Sequence, residues 1–270
     1  MGLISDVAEL LKELKKKSPL VHNITNYVTV NDCANILLAI GASPVMADDV
    51  EEVEEMVAIA AALVINIGTL NNRTVESMIK AGKRANELGI PVILDPVGVG
   101  ATTLRTKVTE LLLENVKISV IRGNMSEIKI ISGINTEIKG VDSIADDNGA
   151  EEIARQLSKK IGAVVAITGV RDVIAQMDRV AFIENGHKML SRVTGTGCMT
   201  TALIGAYAGA GKDCFTAAVC GIMTMGLAGE KAYASLNAGE GVGTFRMRLF
   251  DSIYNMTPED LIEGGKLTNE

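Results

Sequence analysis

Two kinds of apolar run alternate along this chain. In MGLISDVAELLKELKKKSPL, Leu3, Val7, Leu10, Leu11 and Leu14 recur at helical spacing with charges between them. That spacing predicts an amphipathic helix, not the unbroken apolar stretch of a secretory signal. Further on, short continuous apolar runs appear at 62–67 (ALVINI), 91–94 (PVIL), 118–121 and 163–167. Each reads as a buried strand. Amphipathic segments fall between them: one through Val75, Met78, Ile79 and Leu88, one around 102–114, a short one from Asn124, and one at 150–160. Continuous apolar strands separated by such helices predict a parallel sheet covered on both faces. Residues 173–177 and 180–183 flank Asp178-Arg179, and 187–190 follows Asn185-Gly186. These read as antiparallel hairpins with tight turns. The last third reads as helical. No Pro/Gly/Ser-rich linker or internal repeat divides the chain, so 1–270 is expected to be a single domain.

Composition narrows the class. Of 270 residues, 47% are hydrophobic but only 3% aromatic, and Trp is absent. The core must therefore be aliphatic, and disorder is excluded by the amount of apolar surface available. With 26 basic and 33 acidic residues the net charge is −7, and stacking aromatics are few, which argues against a nucleic-acid binder. Residues 193–211 and 214–229 carry no charge. Glycines and threonines stud the first, and Lys212-Asp213 separates the two. They predict buried helices of a soluble, cytoplasmic protein rather than membrane spans. The four cysteines lack metal-ligand spacing. Three of them (Cys33, Cys214 and Cys220) sit in apolar helical stretches and read as inert core.

Ligands of open parallel sheets bind beyond the carboxyl ends of the strands. Four such ends carry suggestive residues. Asp95-Pro96-Val97-Gly98-Val99-Gly100-Ala101 places a carboxylate where it can hold Mg²⁺ or cap the following turn. Its glycines resemble a dinucleotide fingerprint, but Thr103 stands where the third glycine belongs. Arg122 ends the next strand, where a guanidinium reaches phosphate oxygens. Asn124 and Glu127 behind it also match a capping box. Thr168-Gly169 offers a hydroxyl and an open backbone. Val193-Thr194-Gly195-Thr196-Gly197-Cys198-Met199 is the sharpest: two glycines open a long apolar helix, whose N–H groups favour an anion. Cys198 at that helix start is expected to have a lowered pKa. The segment lacks the Lys of a P-loop.

These pieces together resemble the hydroxyethylthiazole kinase family of the ribokinase-like fold. The matching stretches are 22–28 (HNITNYV), 39–46 (AIGASPVM), 66–70 (NIGTL), 94–101 (LDPVGVGA), 121–127 (IRGNMSE), 140–143 (GVDS) and 194–198 (TGTGC). The resemblance implies ATP-dependent phosphorylation of 4-methyl-5-(2-hydroxyethyl)thiazole in thiamine salvage. It also implies a homotrimer with active sites between subunits. By position, Asn26, Met46, Gly68 and Gly195 would lie on the substrate side, with Asn26 hydrogen-bonding a ring nitrogen. Arg122, Asn124, Thr168 and Thr194 would lie on the ATP side. Asp95 and Glu127 would organise Mg²⁺, directly or through water. Cys198 would be the catalytic group, and Gly195 and Gly197 would lead into the anion hole after Thr194. Ribokinase-like sugar kinases place an Asp base where this chain has Cys198, which matches the thiazole kinases instead. Alternatives are a kinase for another small alcohol and an ATP-binding module without turnover.

Overall fold

The computed structural model describes residues 2–134, 147–211 and 213–269. The 140–143 stretch and Lys212 lie outside them. Among the described residues, nine strands form one sheet in the order β2-β1-β3-β4-β5-β6-β7-β8-β9. They are β1 (Leu20–Ile24), β2 (Ser43–Val45), β3 (Ala62–Asn66), β4 (Val92–Asp95), β5 (Val120–Asn124), β6 (Val164–Thr168), β7 (Asp172–Gln176), β8 (Arg179–Ile183) and β9 (Leu267–Asn269). The run from β2 to β6 is parallel, and β6 to β9 is antiparallel.

The strands bury both faces because their side chains alternate between two aliphatic cores. Val64 faces one core, while Leu63 and Ile65 face the other. The first core is covered by α1 (Leu3–Lys17), α2 (Val30–Ile40), α8 (Thr196–Ala210), α9 (Cys214–Ala234), α10 (Val242–Tyr254) and α11 (Pro258–Gly264). The second is covered by α3 (Val53–Ile59), α4 (Asn72–Leu88), α5 (Thr103–Asn115), α6 (Met125–Ile134) and α7 (Asp147–Ile161). Local chemistry sets the helix ends. Asn71 and Thr74 form a capping box at the start of α4, and Gly89 ends it at φ +70°. Asp6 in the first turn of α1 and Lys15, Lys16 and Lys17 in its last complement the helix dipole. The uncharged α8, and α9 up to Gly229, are buried almost all round. Among the described residues, no helix is long and apolar enough to cross a membrane.

Two sequence expectations need correction. Residues 187–190 do not form a strand. His187 Nδ1 accepts the Met189 N–H (3.2 Å) and starts a short 3₁₀ helix, Lys188–Arg192. The free edge of β8 is paired instead by β9, from the end of the chain. The pattern also left β1 and β2 unassigned. β1 carries two buried polar residues, His22 and Asn23, inside its strand. His22 is tolerated there because its Nε2 bonds the Ala47 carbonyl oxygen (2.7 Å), and burial pushes its pKa down, towards the neutral ring.

Candidate active site

The carboxyl ends of β1, β3, β4, β5 and β6 meet the amino end of α8, and most of the expected residues gather there. Parallel pairing puts Asn66, at the end of β3, beside Asp95, at the end of β4. Asn66 Nδ2 donates to Asp95 Oδ2 (2.9 Å) and to Cys198 Sγ (3.2 Å). Thr201, three residues past Cys198 on α8, donates its hydroxyl to the same Asp95 oxygen (2.8 Å). Asp95 Oδ1 is buried and has no hydrogen-bond partner among the described residues. Burial raises the Asp95 pKa to about 6, against the opposing pull of Arg122 and the two donors.

Cys198 differs from expectation. Burial, reinforced by the negative charge of Asp95, raises its pKa, although Asn66, Asn26 and Thr29 all donate towards the sulfur. The position at the head of α8 does not outweigh this, so the group is a thiol at neutral pH. Asn26 is also committed internally. Its Nδ2 bonds Asn66 Oδ1 (2.9 Å) and Cys198 Sγ (3.4 Å), and its Oδ1 takes the Thr29 N–H (3.1 Å). Both amide hydrogens therefore have partners here, one of them the Cys198 sulfur. Gly68 packs directly on Asn26: a Cβ there would lie 2.9 Å from three atoms of the Asn26 side chain. Arg105 of α5 ties the neighbouring loops together by donating to the carbonyls of Ile67, Gly68 and Val97.

On the opposite side, Arg122 Nη2 bonds Thr168 Oγ1 (2.6 Å), while its buried Nε has no partner among the described residues. Both side chains line a cavity of about 560 Å³, together with Gly169, Asp172, Thr196 and Gly197. Asp172 accepts the Gly169 N–H (2.9 Å) and is raised by burial to about 6. α8 opens at Gly195, whose φ of +84° suits glycine, and no side chain caps the helix. Its first N–H groups therefore remain available to an anion. Thr194 is exposed just before this turn.

Asn124 and Glu127 do form a capping box: Asn124 Oδ1 takes the Glu127 N–H (2.9 Å) and Glu127 Oε2 takes the Asn124 N–H (2.8 Å). Glu127 Oε1 accepts the Gly98 N–H (2.8 Å). Both Glu127 oxygens thus hold backbone, and the Asn124 amide oxygen is spent on the cap. Met46 lines a cavity of about 260 Å³ with Asn23, Tyr27, Asp48 and Arg73, beside Thr25 and Thr69, the chain neighbours of Asn26 and Gly68. Sequence reasoning missed Asn66, Thr201, Thr29, Asp172 and Arg105 as site residues. The one available signal was Asn66, a polar residue inside an otherwise apolar strand run.

The profile of the hydroxyethylthiazole kinase family matches residues 11–259. The chain belongs to this family. It is 55% identical to the hydroxyethylthiazole kinase of Alkaliphilus oremlandii over 268 residues, covering 99% of each chain. The solved hydroxyethylthiazole kinase of Pyrococcus horikoshii superposes with a TM-score of 0.90 at 40% identity, covering 98% of this chain and 99% of that one. A ribokinase-like superfamily protein of Enterococcus faecalis shares the fold alone, with a TM-score of 0.61 at 12% identity, covering 92% and 93%. The ribokinase-like expectation for the fold is met.

Proposed function

We propose that this single-domain protein transfers the γ-phosphoryl group of ATP to the hydroxyl of 4-methyl-5-(2-hydroxyethyl)thiazole, a step of thiamine salvage in the cytoplasm. Besides family membership, one observation carries the chemistry: an unpartnered buried carboxylate oxygen on Asp95, joined to Cys198 through the Asn66 amide and close enough to Arg122 to feel its charge. Phosphoryl transfer needs in-line placement and neutralised charge more than covalent help. Arg122 and Thr168 supply contacts for phosphate oxygens. The first turn of α8, opened by Gly195 and Gly197, supplies N–H donors where charge builds on the transferring group. Cys198, a thiol held by Asn26 and Asn66, positions the alcohol. The alcohol proton then leaves late, when transfer is well advanced, so a strong base is unnecessary.

The residues present fit Mg²⁺ of a particular kind. No group of three or more His, Cys, Asp or Glu side chains able to hold a metal occurs among the described residues. Asp95 Oδ1 is free to ligate, and Glu127 can reach a metal-bound water. This donor set suits an ion that arrives on the phosphates and keeps much of its water. When bound, Mg²⁺ supplies charge neutralisation on the phosphate oxygens.

The expected homotrimer finds support in exposed apolar side chains near the Met46 cavity and on the packed pair α2 and α10. Tyr27 is 79% exposed, and Val28, Leu38 and Met247 are more than half exposed. Tyr27 also lines the Met46 cavity, so a subunit seated there would close the substrate side. Light scattering at the monomer mass would refute the trimer. The function itself is tested by coupled ADP release with the thiazole alcohol against pyrimidine and sugar alcohols. Thiazole-dependent release well above the others is expected. Its absence, or equal release with another alcohol, overturns the reading, and ATP binding with no release at all points to a module without turnover.

A further inference from the structure

Most side chains around the site have an assigned role, but one buried group joins three of them and has no role assigned. Asn66 is 1% exposed, and its amide uses all four hydrogen-bonding positions. Oδ1 accepts from Gly68 N (2.9 Å) and Asn26 Nδ2 (2.9 Å). Nδ2 donates to Asp95 Oδ2 (2.9 Å) and Cys198 Sγ (3.2 Å). The orientation of the amide is not arbitrary. A backbone N–H can only donate, so Gly68 requires an oxygen opposite it, and Nδ2 must then face the carboxylate and the sulfur.

Thr201 completes the arrangement from the other side. It lies on the same face of α8 as Cys198, three residues on. Its hydroxyl bonds Asp95 Oδ2 at 2.8 Å and approaches the Gly197 carbonyl at 3.3 Å. Asp95 Oδ2 thus receives two donors, one from β3 and one from α8. This fixes the carboxylate rotamer and leaves Oδ1 as the oxygen without a partner among the described residues. The same two residues bind the end of β3, the end of β4 and the first turns of α8 into one unit.

We propose that Asn66 and Thr201 are positioning residues for phosphoryl transfer, holding the Asp95 carboxylate and the Cys198 thiol in one shared geometry. Neither touches the reacting atoms. Asn66 sets the distance between carboxylate and sulfur because one NH₂ group spans both. Thr201 keeps the carboxylate from turning and so fixes where its unpartnered oxygen lies. The proposal rests on the phosphotransfer reading above.

Thr201→Val removes the hydroxyl and keeps the shape of the side chain. We expect kcat to fall about tenfold or more, since sub-ångström misplacement at a reacting centre is costly. Binding of the thiazole alcohol, measured by calorimetry without ATP, should stay within about threefold, because the lost interaction acts on the transition state and not on uniform binding. Thr201→Ser, which restores the donor, should recover most of kcat. Asn66→Ala removes both donors and should lower kcat by roughly 100-fold. Combined with Thr201→Val it should cost less than the product of the two, because both act on one oxygen.

If Asn66→Ala does not fold, the Thr201 pair carries the test. Full kcat in Thr201→Val overturns the proposal. So does a serine variant as slow as valine, or a loss wholly matched by weaker thiazole binding. If the wild type itself shows no thiazole-dependent ADP release, the phosphotransfer reading fails instead. A crystal structure of Thr201→Val then still decides the positioning claim: an Asp95 carboxylate rotated from its wild-type rotamer supports it, and an unmoved one refutes it.

Discussion

Two glycines at the head of α8 face different neighbours, and replacing each by alanine should fail in a different way. A Cβ on Gly197 would lie 2.7 Å from Arg122 Nη1 and 3.3 Å from Nη2. Ordinary contact needs about 3.5 Å or more, so the guanidinium must retreat by roughly 1 Å. The Arg122–Thr168 bond is 2.6 Å long and does not survive that shift. The backbone favours the change, because Gly197 is helical and alanine gains about 0.5–1 kcal/mol in a helix over glycine. Gly197→Ala should therefore fold at least as well as wild type and lose part of its hold on phosphate. A charge-assisted hydrogen bond is worth about 1.5–3 kcal/mol. That corresponds to roughly 10- to 150-fold in affinity, at about 1.4 kcal/mol per decade. Gly195→Ala is the counterpart. Its φ is +84°, and a Cβ would sit 2.6 Å from Cγ2 of Thr29, which is itself buried. The backbone term alone costs about 1–2 kcal/mol, or several degrees in Tm for a chain of this size. The assay is a pair of measurements on each variant: KM for ATP in coupled ADP release, and the thermal midpoint without ligand. Gly197→Ala should raise KM for ATP at unchanged or higher Tm, and Gly195→Ala should lower Tm. An unchanged KM for ATP in Gly197→Ala would show that Arg122 does not bind phosphate.

Cys198→Ala should slow turnover by about tenfold, less than the 10²–10⁴ of a true general base, because the raised thiol pKa leaves little thiolate at neutral pH. Cys198→Asp should remain active or improve, and an alanine variant with full turnover removes Cys198 from the reaction. Asp95→Asn should abolish activity yet stabilise the metal-free protein at pH 7.5. The folded pKa of about 6 lies above the ordinary value of 3.8, so the native state binds this proton more tightly than the unfolded chain. The penalty is absent below about pH 4, grows as pH rises to about 6 and is constant above, reaching about 3 kcal/mol. The gain in Tm should therefore disappear near pH 4, and an equal gain at both pH values would refute the assignment. Arg73→Ala should raise KM for the thiazole alcohol severalfold, since Arg73 holds Asp48 through three hydrogen bonds beside Met46. Its exposed ion pair is worth only about 0–1 kcal/mol, so Tm should move little.

What the sequence made legible divides along a physical line. Runs such as ALVINI announce strands because both faces of a parallel sheet are apolar, and the four central strands were read that way. β1 was not, since His22 and Asn23 are buried polar residues whose partners, Ala47 and Val21, no periodicity reveals. β9 was not, since three residues carry too little pattern and pair only because β8 has an open edge. The site divides similarly. Motifs at strand ends located Asp95, Arg122 and Thr168, because topology alone sends those ends to one place; Cys198 follows no strand and was located by the glycines that open α8. Their ionisation was not legible. A helix start lowers a thiol pKa only if burial and nearby charge do not oppose it, and here Asp95 and desolvation do. Asp95 in turn stays buried because Asn66 and Thr201 share one of its oxygens. That sharing depends on the register between β3 and β4 and on how α8 is seated over them. A residue such as Asn66 therefore gains its meaning only once three separate segments have met.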